Sequence, residues 1–236
     1  MVAFAYTAFG LAGFGSTVIA LPLLAQFFEL KFAVPLLMLL DLAAFLLFGA
    51  RMRKRIQYAE IAWLVPLILV GMAAGLTLLI EVAEQKLLAV LGTFLLLYAG
   101  YGLLRGKFGH ASPALLSRGW GVPIGLVGGA FSALFGTGGV LFALYNAGRI
   151  RDKEALRATN AAMIMLSSLV RVVLFAAVGL LTQDGLLATA LCMLPALLAG
   201  VWLGNRLHAA VPAAAVAKAV YALLVIAGLT LLARAL

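Results

Sequence analysis

Residues 119–147 read GWGVPIGLVGGAFSALFGTGGVLFALYNA, and the way this stretch lies decides the fold. It carries no charged side chain, and its 29 residues exceed the about 20 that a helix needs to cross a bilayer. Gly136-Thr137-Gly138-Gly139 interrupts it past the middle. Arg105, Lys107 and Arg118 precede it, and Arg149, Arg151, Lys153 and Arg157 follow it. Short basic loops mark the cytoplasmic side of a membrane. A single crossing would put these two loops on opposite sides. Two half-helices joined at the Gly136–Gly139 break keep both on one side, so the stretch predicts a re-entrant hairpin. Non-helical backbone at membrane depth is tolerated only where protein buries it or water reaches it. The hairpin tip is therefore expected to line a cavity.

The rest of the chain supports a bilayer as its solvent. It is 66% hydrophobic, only 11% charged, and has a mean hydropathy of +1.18. A soluble domain is about half apolar and a quarter charged. The apolar runs are long and rich in Leu and Ala, which indicates helices; a membrane barrel would show alternating segments of roughly ten residues. Eight apolar segments emerge, at about 1–28, 32–50, 59–80, 87–104, 119–147, 158–181, 185–205 and 211–235. Six suit one crossing, while the first and fifth are longer and broken by glycine and hydroxyl residues. Residues 1–10 hold no basic side chain and do not read as a signal peptide. Cys192 lies inside an apolar run and excludes an internal disulfide, while His110 and His208 fall at segment ends as interfacial residues. The net charge of +9 sits in short loops, which argues against a nucleic-acid partner.

The first and fifth segments belong to an internal repeat. Gly13-Phe14-Gly15-Ser16-Thr17 answers Gly136-Thr137-Gly138-Gly139. Pro66, Gly71 and Gly75 recur at the spacing of Pro195, Gly200 and Gly204, and Ala99-Gly100 answers Ala227-Gly228. Three matches in one order predict a duplicated unit of four segments. Charge predicts its inversion. Arg51, Arg53, Lys54 and Arg55 place the loop after segment two in the cytoplasm, whereas the equivalent Thr182-Gln183-Asp184-Gly185 has no basic residue and should face outward. With a re-entrant first segment each half makes three crossings, and an odd number inverts the second half. Adding Arg206, this model places 12 of the 17 basic residues in the cytoplasm.

Two ionisable side chains lie deep in apolar runs, Asp41 in segment two and Arg171 in segment six. Leu40-Asp41 and Val170-Arg171 superpose without a gap, since each charge lies eight residues before a glycine, Gly49 or Gly179. The opposite charges thus hold repeat-equivalent positions. A lone charge at the bilayer centre costs about 2.5–3.5 kcal/mol on insertion scales, so it needs a partner or a use. Two accounts stay open: a structural role, as an Asp41–Arg171 ion pair or with Arg171 reaching for the interface, and a functional one, with Arg171 as an anion contact and Asp41 as a proton carrier or modulator. Asn160, Ser167 and Arg171 share one helical stripe, spaced by seven and four, with Ser168 beside it. The breaks add a further anion-binding device, because a half-helix ending in the membrane presents free N–H groups and a positive dipole end. Ser16, Thr17 and Thr137 add hydroxyl donors, while Gly71 with Gly75 and Gly200 with Gly204 read as close-packing positions. Neither a strand context nor a P-loop lysine accompanies the glycines, so they are not a nucleotide site.

The paired breaks and the duplicated plan resemble the TauE/SafE family of membrane anion exporters, whose members show a Gly-x-Gly-Gly-Gly run near the start of each half and a proline shortly after. Gly13, Gly15 and Pro22 match in the first half, with Ser16 and Thr17 replacing the later glycines. Gly136, Gly138 and Gly139 match in the second, where Val140 replaces the last glycine and Tyr145 stands in the proline's place. The resemblance extends over nearly the whole chain and implies transport of sulfite or organosulfonates. An arginine such as Arg171 suits such an oxyanion. The departures fall within the implied substrate site, so they leave the substrate itself open.

The expectation is an all-α integral membrane protein of the bacterial inner membrane. It has inverted repeats at 1–104 and 119–236, each opening on a re-entrant segment, joined by a cytoplasmic linker at 105–118. It would export a small anion by alternating access. The substrate-binding residues would be Gly13, Gly15, Ser16, Thr17, Gly136, Thr137, Gly138, Gly139, Asn160, Ser167 and Arg171, with Asp41 a coupling or ion-pair residue. Its partners would be the anion and the lipid bilayer, with a homodimer left open and no cofactor or metal called for. An anion channel is an alternative, distinguishable by conductance too fast for a conformational cycle. A membrane enzyme would need a catalytic constellation, and neither HExxH nor a nucleophile–base set is present. A scaffold would need neither Arg171 nor the breaks.

Overall fold

A computed structural model of the protein describes residues 2–12, 16–48, 56–105, 116–207 and 213–235. Ten α-helices appear among them: α1 (Val2–Ala12), α2 (Ser16–Leu24), α3 (Leu30–Phe48), α4 (Tyr58–Glu81), α5 (Glu84–Arg105), α6 (Gly121–Phe135), α7 (Gly138–Ala147), α8 (Lys153–Ala177), α9 (Leu186–Leu207) and α10 (Ala213–Ala235). The eight apolar segments account for all ten, because the first divides into α1 and α2 and the fifth into α6 and α7. Four helices, α4, α5, α8 and α9, are long and apolar enough to cross a membrane by length and composition. Gly13, Gly15 and the basic cluster Arg51, Arg53, Lys54 and Arg55 lie outside the described residues, as do 106–115 of the linker.

The outer surface suits lipid. Val70, Leu97, Leu191 and Ile226 are each more than 60% exposed, an arrangement that water would penalise and acyl chains do not. Trp202 lies under the Arg206 guanidinium at 4.3 Å and Trp63 under that of Arg118 at 5.4 Å, the aromatic-plus-cation pairing of a membrane interface.

Inside, the closest helix contacts use small residues, since lipid supplies no hydrophobic drive between helices and backbones must approach for dispersion to act. α4 packs along α6, α1 along α9, and α5 along α10. A Cβ added to Gly71 of α4 would strike the Leu126 carbonyl oxygen of α6. A Cβ added to Gly200 of α9 would strike the Ala3 carbonyl oxygen of α1 in the same way. Between α5 and α10, Gly92 and Gly228 each face the other's carbonyl oxygen. The Gly71 and Gly200 positions are therefore packing sites.

The fifth segment folds back on itself. Gly136 ends α6 with φ of +69°, a left-handed conformation in which a side chain is strained. Its N–H returns to the Ser132 carbonyl at 3.0 Å, and that of Thr137 to Phe131 at 3.3 Å. α7 then runs back along α6: a Cβ on Gly138 would fall on the Gly128 carbonyl oxygen, and one on Gly128 would lie 2.6 Å from the Phe142 ring. The two ends of the hairpin meet, with the Leu116 N–H donating to the Gly148 carbonyl at 2.9 Å and the Arg149 guanidinium to that of Leu116 at 3.1 Å.

Contacts at the two ends of the bundle give the helix directions. At the hairpin mouth the Gln57 N–H donates to the Thr159 hydroxyl at 3.0 Å, Arg149 pairs with Glu60 at 2.7 Å, and Arg118 reaches the Ala59 carbonyl at 3.2 Å. At the other end the Gln183 amide donates to the Lys31 carbonyl, Lys31 to that of Ile80, and the Leu30 N–H to the Glu84 carboxylate. Thus α4 and α8 leave the mouth end, and α9 returns to it. The loop containing Asp184 lies opposite the loops containing Arg118 and Arg149.

Candidate functional site

The chemistry gathers where the hairpin tip meets the middles of α3 and α8. Asp41, 6% exposed, is held by hydroxyl groups. Tyr6 of α1 and Ser16 of α2 donate to its Oδ1 at 2.8 and 2.9 Å, and Thr17 of α2 donates to Oδ2 at 2.5 Å. Ser16 and Thr17 open α2, so the carboxylate also sits at the positive end of a half-helix, where a negative charge is favoured.

Arg171, 2% exposed, lies on α8. One Nη2 hydrogen bond goes to the Ser168 hydroxyl at 3.1 Å, while Nε and Nη1 have no partner among the described residues. It lies beside the C-terminal end of α6, because a Cβ on Gly136 would stand 2.8 Å from Arg171 Nη1 and 2.6 Å from Thr17 Cγ2. A cation is favoured at that end of a helix as an anion is at the other. Here is a physical reason for the opposite signs at the two positions that the sequence spacing aligns. No direct ion pair joins Asp41 to Arg171; Thr17 and Gly136 stand between them.

The other expected residues separate. Thr137 is buried at the tip with its hydroxyl unpartnered among the described residues, and Gly136 lies beside Arg171. Gly138 has a packing role against Gly128, and Gly139 faces Ile164. Asn160 is nearer the mouth, where its carbonyl accepts from the Asn146 amide at 2.7 Å. Ser167 bonds its own backbone at Ile164 and lies among Val65, Ile68, Leu69 and Val170, between α4 and α8. Ser168 makes the contact with Arg171 instead.

This is a polytopic helical protein with a buried, incompletely bonded arginine at a broken helix. The model of the sulfite exporter TauE/SafE family matches residues 1–231. The chain belongs to that family. As a TauE/SafE protein it is a membrane transporter, multi-pass in the bacterial inner membrane, with a small-molecule substrate and a lipid surround. It is 31% identical over 200 residues to the "Probable inner membrane transporter protein TsaS" of Comamonas testosteroni, an alignment covering 83% of this chain and 81% of the relative. No solved structure gives a significant match.

Tyr6 and Asn146 escaped the sequence, which sets Ser168 beside the α8 stripe and not on it. Tyr6 lies on α1, and nothing in its own segment marks it as an Asp41 ligand. Ser168 differs from Ser167 by one helical step, and only the packed rotamer of Arg171 selects it. Asn146 was discoverable as an asparagine in an apolar half-helix, a residue type that needs a polar partner when buried.

Proposed function

We propose that this TauE/SafE protein moves a small sulfur oxyanion, sulfite or an organosulfonate, outward across the inner membrane, with Arg171 as its principal contact. The observation that carries this is the buried guanidinium with Nε and Nη1 unpartnered. Leaving a buried donor unsatisfied costs about 1–3 kcal/mol, and more for a charged group, so a stable fold keeps one where a ligand repays it. A planar fork matches the oxygens of a tetrahedral or pyramidal oxyanion. The Thr137 hydroxyl and the first N–H groups of α7, at Gly138 and Gly139, supply neutral donors beside it. Ser16 and Thr17 serve Asp41 in this conformation, which leaves Asp41 as the coupling residue.

The mechanism proposed is alternating access between inverted halves, residues 1–104 and 119–236, joined by a cytoplasmic linker at 105–118. Support comes from the equivalent Gly71–Leu126 and Gly200–Ala3 contacts, from the opposed directions of α4 and α9, and from the hairpin whose ends meet on one side. Binding of sulfite, methanesulfonate, sulfate, acetate and chloride to purified protein tests the reading. The sulfur oxyanions should bind best. Arg171→Ala should abolish that binding, with Arg171→Lys restoring only part because it keeps the charge and loses the fork. Undiminished binding by a folded Arg171→Ala protein rejects the site.

A further inference from the structure

Five buried side-chain polar atoms have no hydrogen-bond partner among the described residues: Thr137 Oγ1, Asn146 Oδ1, Arg149 Nε, and Nε and Nη1 of Arg171. Native folds keep few such atoms, and each calls for an explanation. These are not scattered over ten helices. Thr137 immediately precedes α7, Asn146 is near its end, Arg149 follows it, and Arg171 lies on α8, which packs against α7. Thr137 and Asn146 are nine residues apart, about 13 Å along a helix axis.

Three contacts follow one another down the seam between these helices. At the mouth, the Asn146 amide donates to the Asn160 carbonyl at 2.7 Å and touches Met163 Sδ at 3.1 Å. Midway, Gly139 faces Ile164, where an added Cβ would stand 3.0 Å from Cγ1. At the bottom, Gly136 lies beside Arg171. α7 descends from 146 to 138 as α8 passes from 160 to 171. Thr137, Asn146, Arg149 and Arg171 therefore lie along one line, from the basic end of the bundle to the buried guanidinium; the Arg nitrogens and the Thr137 hydroxyl can donate to an anion, and Asn146 can do so only through its N–H groups.

We infer that the seam between α7 and α8 is the path the anion follows between the basic-loop face and Arg171, with Asn146 as a polar stop along it. The inference rests on Arg171 being the anion contact. The Asn146–Asn160 hydrogen bond closes the path in this conformation. Parting the two asparagines frees the Asn146 N–H groups for an oxyanion, next to the Arg149 and Arg118 cations that draw it in. A neutral amide suits a stop better than a second buried arginine would, because a substrate must leave it as readily as it arrives.

Two variants test this, both in a Cys192→Ala background that removes the single native thiol. Asn146→Cys should react with the anionic reagent sulfonatoethyl methanethiosulfonate from the same vesicle face that labels Asp152→Cys. It should react several-fold faster with that reagent than with its trimethylammonium analogue, and methanesulfonate should slow the reaction. A thiol at 146 that stays unreactive, or that methanesulfonate does not protect, overturns the path. Asn146→Leu removes the unsatisfied oxygen at similar volume. Because it also removes the donor to the Asn160 oxygen, it is paired with Asn160→Leu; the double variant should melt close to the parent protein while losing at least tenfold in methanesulfonate transport, a combination that a packing role for Asn146 does not produce. Parental transport by the double variant, alongside loss of binding in Arg171→Ala, defeats the path and leaves the Arg171 site standing. Retained binding in Arg171→Ala defeats both.

Discussion

A buried carboxylate with three hydroxyl donors and a buried guanidinium with two open donors are different kinds of site, although the sequence spacing aligns them. Asp41 is satisfied in place, and Arg171 is not. Removing the Thr17 hydroxyl while keeping its shape should expose this difference. Thr17→Val loses one bond to a charged acceptor, worth about 1.5–3 kcal/mol. Its cost should appear as a lowered melting temperature with anion binding largely kept, since its methyl still faces Gly136. A direct Asp41–Arg171 ion pair would predict strong coupling in a double-mutant cycle of stability. Because both charges are buried in one region and Thr17 lies beside each, Asp41→Asn and Arg171→Ala should still couple, by about 0.5–3 kcal/mol, and strict additivity would contradict a shared site. At the mouth, the Glu60 carboxylate accepting from Arg149 holds that guanidinium above its usual range, so Arg149 stays cationic.

The hairpin is the element on which the rest depends. Its left-handed Gly136 turn tolerates no side chain without strain, and the position borders both Thr17 and Arg171. Gly136→Ala should therefore cost about 1–2 kcal/mol for the backbone and weaken anion binding as well, measured by thermal unfolding and titration on one preparation. Gly138→Val is a poor probe of ligand contact, because its side chain would strike α6 whatever the ligand does. The membrane placement of the hairpin has its own check. Cysteines at Ser117 and Asp152 should be labelled from the cytoplasm and one at Asp184 from outside; labelling of 117 and 152 from opposite faces would break the re-entrant model.

Across the whole molecule, the helix inventory was legible because apolar length and glycine interruption are one-dimensional signals, and residues 119–147 carry both. The small-residue spacing marked Gly71 and Gly200 as packing positions, which the structure gives them. It did not name the partners, Leu126 and Ala3, since which helix a small face meets depends on tertiary packing. The two charges could be read as deep in apolar runs, but the placing of Thr17 and Gly136 beside them could not. Helical phase put Ser167 on the α8 stripe, whereas Ser168 beside it is the serine that meets Arg171. On the proposed alternating-access cycle, with Asp41 ionised throughout and no proton carried, the opposite charges within one buried region also decide which half of the cycle the membrane voltage drives. With Asp41 ionised, the empty carrier is electrically neutral there, and a bound monoanion gives it a net charge of −1. An inside-negative potential then pushes the loaded form outward, with about 2.3 kcal/mol available per elementary charge per 100 mV. Neutralising Asp41 reverses the assignment: the empty form carries the charge and the loaded form none. Transient currents in proteoliposomes should need the anion in the parent protein and appear without it in Asp41→Asn. Anion-independent currents in the parent would show that Asp41 does not balance Arg171, and that the empty protein itself moves charge through the field.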